Sequence, residues 1–109
     1  MEHQYDAITI RQARVLLSLQ KALLGAITTH LRTVSVSWDM QGIDIYFIYD
    51  GEISEDDQEE SECAATEVLA NFPDDRVETH HIRCDFPNRT PAVGMHVVFR
   101  KKEVFPEVY

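Results

Sequence analysis

The chain has 109 residues, of which 44% are apolar and 27% charged, the profile of one globular domain with a single core and not of a disordered segment. Nineteen acids against ten bases give a net charge of −9, which excludes a free-standing nucleic-acid binder and disfavours an anionic membrane surface, because affinity for phosphate comes from Lys and Arg. No apolar run approaches the roughly 18 residues of a membrane span.

The N-terminus, Met1-Glu2-His3-Gln4-Tyr5-Asp6, lacks the basic and apolar regions of a secretory signal, so a cytoplasmic protein is expected, forming one domain over residues 1–109. Cys63 and Cys84 are too few for a disulfide scaffold and too far apart for a close-spaced metal or redox pair, so both read as free thiols.

The first predicted element is a helix from about Ile10 to Leu24. Thr9 and Gln12 have capping-box spacing, and Gly25 stands where a terminating glycine belongs. Its apolar residues cover more than half the circumference, while Arg11, Arg14, Ser18 and Lys21 mark the expected solvent face. Two strands follow. Arg32 to Trp38 alternates with Val34, Val36 and Trp38 on one side, and Asp39-Met40-Gln41-Gly42 turns the chain into Ile43 to Tyr49.

A second helix begins after Ser54, with Asp57 three residues on and Glu55, Asp56 and Asp57 in the first turn, where the helix dipole favours anions. Ala64, Ala65, Val68, Leu69 and Phe72 form its apolar stripe. A third strand is expected from about Arg76 to Asp85 and a fourth from about Gly94 to Lys102, with a loose or edge-packed tail from Glu103 to Tyr109. The fold expectation is an α+β, two-layer αββαββ sandwich: a four-stranded, mostly antiparallel sheet of two hairpins with both helices on one face. A permuted ferredoxin-like order and a meander with a βαβ crossover both fit these elements.

The charge is concentrated. Between Asp39 and Asp85 stand fifteen acids and only two bases, Arg76 and Arg83, and the thirteen residues from Asp50 to Glu62 contain eight acids and no base. Part of this serves the helix N-terminus, yet Glu55–Glu59 and Asp56–Glu60 are like-charge pairs one turn apart, each costing a few tenths of a kcal/mol. Solubility alone is served by interspersed signs. A basic protein partner is the natural complement, with Asp50, Glu52, Glu55, Asp56, Asp57, Glu59 and Glu60 as candidate contacts and Tyr46 and Tyr49 as candidate apolar anchors.

Other chemistries are thinly supported. The acidic run lacks the spacing of a calcium loop. His80, His81, Cys84 and His96 invite a metal reading, but adjacent strand residues point to opposite faces, so His80 and His81 do not share an ion and no metal site is expected. No nucleophile elbow, phosphate loop or dinucleotide fingerprint occurs; no catalytic residue and no cofactor is expected, a pairing of Cys63 with a distant His being the remotest reading.

Several segments together resemble a known group. Leu23-Leu24-Gly25-Ala26-Ile27-Thr28, Leu31 to Val36, Ile45-Tyr46-Phe47-Ile48-Tyr49-Asp50-Gly51-Glu52, Ala64 to Val68, Phe72-Pro73-Asp74-Asp75 and Ile82 to Pro87 are similar to the immunity proteins of contact-dependent growth inhibition and related polymorphic toxin systems. The resemblance covers roughly Leu23 to Arg100. It implies a non-catalytic inhibitor that blocks a cognate toxin one-to-one, the toxin being an RNase or DNase C-terminal domain with a basic cleft. By that resemblance the acidic stretch stands in for nucleic-acid phosphate, with no direct contact to nucleic acid or membrane. The alternative is a small homodimeric regulatory or structural domain joined through its sheet.

Overall fold

The computed structural model describes residues 6–106; most of the N-terminal stretch read for a signal, and the end of the tail, lie outside the described residues. The elements are α1 (Ala7–Ala22), β1 (Leu31–Trp38), β2 (Gly42–Tyr49), α2 (Glu55–Asn71), β3 (Arg76–Arg83) and β4 (His96–Arg100). Helix α1 starts one turn earlier than the Thr9 signal suggests. Asp6 caps it, its Oδ1 accepting from the Thr9 amide at 2.7 Å, and Thr9 is already helical. At its far end Gly25 adopts φ +82°, a conformation open to glycine at little steric cost.

The β1–β2 hairpin closes on Asp39, whose Oδ1 accepts from the amides of Gln41 and Gly42 at 2.7 and 2.9 Å. Val34 then pairs with Phe47 and Val36 with Ile45. Helix α2 carries the capping box read from the sequence, with the Ser54 hydroxyl and Asp57 carboxylate each accepting from the other's amide at 3.1 Å. Because α2 runs back along the sheet, β3 enters parallel to β2.

The sheet order is β3-β2-β1-β4, with β4 antiparallel to β1. The expected second hairpin therefore does not form: β3 and β4 occupy opposite edges. The meander with a βαβ crossover is the arrangement adopted, and the ferredoxin-like order is not. Two of the three pairings are antiparallel. Both helices pack on one face, where Val15, Leu19, Ala64 and Val68 meet Val34, Val36, Ile43, Ile45 and Phe47, all buried.

Residues 84–95 must carry the chain from one edge to the other, and they do so over the face opposite the helices. The register slips between Leu31 and Thr33, so the bulge at Arg32 takes that side chain out of the alternation of Val34 and Val36. Arg32, 0% exposed, donates to the carbonyls of Cys84 and Asn88 at 2.7 and 2.8 Å and holds Glu103 through both Nε and Nη2 at 2.7 and 3.0 Å. Phe105 packs on Phe86 with ring centroids 5.2 Å apart. The start of the tail is thus anchored, not loose, by an ion pair that sequence patterning does not announce.

Candidate partner-binding surface

Helix α2 presents its acids outward. Ser61, Ala64, Ala65 and Val68 take the inward face, and helical spacing then turns Glu55, Asp56, Glu59, Glu60 and Glu67 to solvent. Glu52 is exposed in the turn before it. Among the described residues none of these six makes an ion pair, whereas Glu62 leans toward β3, bonding the Thr79 hydroxyl at 2.6 Å. Glu52 does lie near a base, Arg83, whose pKa its charge helps to raise.

Three of the expected contact residues have other duties. Asp57 is 2% exposed, tied into the capping box with His30 Nδ1 3.7 Å away. Tyr49 is also 2% exposed; its ring belongs to the core and its hydroxyl donates to the Asp57 carbonyl at 3.2 Å, burial pushing its pKa up to about 12. Neither projects as a surface contact, because the strand alternation that sends Ile43, Ile45 and Phe47 to the helices sends Tyr49 with them. Asp50, half-buried, accepts from the Phe86 amide at 3.0 Å, helping to hold the crossing segment.

Tyr46 lies on the opposite face of the sheet from α2, stacked on His80 with centroids 4.6 Å apart. His81 faces the helices, 2.6 Å from Ser61 Oγ, so the two histidines do occupy opposite faces. Beside Tyr46, the parallel register sets Asp44 opposite Glu78 and two residues from His80, bringing ligand-type atoms within 4.8 Å. Sequence reading missed this cluster, since only the parallel pairing of β2 and β3 creates it. Arg76 already supplies its positive charge, 3.3 Å from Asp44 and 2.9 Å from Glu78, and holds the Asp44 pKa below the ordinary aspartate value.

Burial works against the Asp57 carboxylate, yet the Thr28 hydroxyl nearby, the Ser54 amide and the proximity of His30 hold its pKa below normal. Hydrogen bonds from Arg83 and the Gly51 amide do the same for Asp85. A depressed folded-state pKa contributes stability that is complete above the unfolded value of about 3.9 and disappears as pH falls through the folded one. Urea midpoints are therefore expected to be flat in their aspartate contribution from neutrality to about pH 5 and to drop below about pH 4. The drop should be shallower in Asp57→Asn, and an equal drop would show that Asp57 does not contribute.

Comparison with known families gives a match over residues 12–103 to the MafI2 immunity protein, from the first turns of α1 through the Arg32–Glu103 anchor. The chain belongs to the MafI2 immunity protein family. Comparison with curated proteins finds no match. MafI2 proteins are a polymorphic-toxin immunity family, in keeping with the polymorphic-toxin part of the resemblance read from the sequence. Membership implies a cognate toxin as partner, and immunity proteins are in general non-catalytic. No helix among the described residues is long and apolar enough to cross a membrane.

Proposed function

We propose that this MafI2-family chain acts in the cytosol as a non-catalytic inhibitor, binding one toxin domain and occluding a basic active-site cleft with the outer face of α2. The toxin is read as an RNase or DNase of a contact-dependent or related delivery system, whose phosphate-binding groups the α2 carboxylates engage in place of nucleic acid. The observation that carries the reading is the row of exposed acids, Glu52, Glu55, Asp56, Glu59, Glu60 and Glu67, none of which makes an ion pair among the described residues. Opposed potentials of this kind accelerate encounter and suppress wrong partners.

The test is stopped-flow association with the cognate toxin domain, at low salt and at about 0.5 M salt, where exposed charges are screened within a few ångström. Association is expected to slow by about tenfold or more at the higher salt. An association rate indifferent to salt would overturn docking through the acidic face.

A further inference from the structure

The acidity of the chain stops at Phe86 and resumes only at Glu103. The seventeen residues from Phe86 to Lys102 contain Arg89, Arg100, Lys101 and Lys102 and no acid. They form most of the segment that crosses the sheet on the side away from the helices, then β4 and the start of the tail. Two adjoining cavities lie there. One, of about 300 Å³, is lined by Thr33, Arg89, Thr90, Arg100, Glu103 and Phe105. Its neighbour, of about 180 Å³, shares Thr33, Thr90 and Arg100 and reaches Ser35.

A slip in the β1–β4 register builds the lining. Thr33 pairs with Arg100 and Ser35 with Val97, which leaves Val98 as the extra residue. Regular alternation would send Val97 and Arg100 to opposite faces; the slip lets both line the same cavity. Arg89 holds its guanidinium over the Phe105 ring, 3.8 Å from the centre, which fixes the group without neutralising it. Among the described residues neither Arg89 nor Arg100 makes an ion pair. Glu103, the acid in the lining, is already engaged through both oxygens by Arg32. The Ser35 hydroxyl, in a residue 2% exposed, has no hydrogen-bond partner among the described residues, and a buried polar group in that state calls for a ligand or an ordered water.

We propose that the adjoining cavities under Arg89 and Arg100 bind a small phosphate-type oxyanion, as the free ion or as the phosphate of a small monoester. The site is separate from the acidic face of α2 and does not depend on the toxin reading. Two guanidinia offset the two charges of a phosphate and present planar N–H donors to its oxygens, and the Thr33 and Thr90 hydroxyls add neutral donors. A recess with a few convergent polar groups suits a small molecule. A chain of net charge −9 repels extended polyanions, so the occupant is small enough to meet only the two local arginines.

Calorimetric titration with inorganic phosphate, against chloride at matched ionic strength, tests the site. Saturable one-to-one binding is expected, weakened by about tenfold or more in Arg100→Gln and in Arg89→Gln, each of which removes a charged hydrogen bond. Lys102→Gln removes the same charge outside both cavities and should bind like the parent. All three side chains are exposed, so the urea midpoints should stay near the parent's; should one arginine variant fail to fold, the other carries the test. Titration with glycerol 3-phosphate separates the sources: tighter binding than inorganic phosphate assigns the site to a monoester, and equal binding assigns it to the free ion. Absence of saturable phosphate binding, or an equal loss in Lys102→Gln, would overturn the proposal. Acetate bound as tightly as phosphate would overturn it too, by making the site one for a carboxylate. So would toxin affinity lost in Arg100→Gln without phosphate binding in the parent, which would assign the arginines to a protein interface.

Discussion

Replacing Arg32 with alanine is expected to lower the unfolding free energy by about 3–5 kcal/mol, the cost of removing one partner from a buried ion pair. The guanidinium is wholly shielded from solvent, and its hydrogen bonds tie together β1, the Cys84 and Asn88 carbonyls and Glu103. Alanine leaves a largely buried carboxylate and two carbonyls without that donor, and it frees the crossing segment from the sheet it covers. Against a typical total of about 5–15 kcal/mol for a domain, the loss is large.

Arg32→Lys keeps the charge but not the planar fork, so it should recover only part of the stability. Urea denaturation of the two variants and the parent measures both effects. A loss under about 1 kcal/mol in Arg32→Ala, the size of an exposed pair, would mean that the pair is not structurally important.

Converting Glu59 and Glu60 to lysine should separate binding from folding. In the parent, Glu55–Glu59 and Asp56–Glu60 repel along exposed turns of α2. In the variant each becomes an acid followed four residues later by a base, the favourable orientation, worth about 0.2–0.5 kcal/mol per pair. The first-turn acids that suit the helix dipole are untouched. The expected thermal midpoint is therefore equal to or slightly above the parent's.

Toxin association is expected to slow by about tenfold to a hundredfold, with a shallower salt dependence, because the α2 surface has become four charges less negative. Protection of cells expressing the toxin should fail with it. Full protection by a stably folded Glu59→Lys, Glu60→Lys protein would show that α2 does not face the toxin's basic cleft, although the family relationship would stand.

The sequence shows its local signals faithfully and its long-range ones poorly. The Ser54–Asp57 capping box and the Asp39 turn were readable because both are closed by residues two or three positions apart. The two hairpins were not equally readable. Strand β3 looks like the first arm of a hairpin with β4, yet the return direction of α2 pairs it with β2 and sends β4 to the far edge. Nothing within β3 or β4 encodes that choice; it follows from the crossover and from the twelve residues that span the sheet. Arg32 likewise reads as one more residue of an alternating strand until a one-residue slip in register removes it from the alternation.

For the surface, composition and spacing alone determined that the molecule is strongly acidic and that the acids gather around α2. Those conclusions depend only on which residues are present and how close they are in sequence. The tertiary structure decided which of the gathered residues are usable. Asp57 and Tyr49 are drawn into the core, Tyr46 is carried to the opposite face of the sheet, and Leu17 and Leu24 remain uncovered. The physical reason is that a helix or strand specifies its own faces, but not which of them its neighbours will cover: α1 offers two apolar sides, and packing on one sheet buries only one.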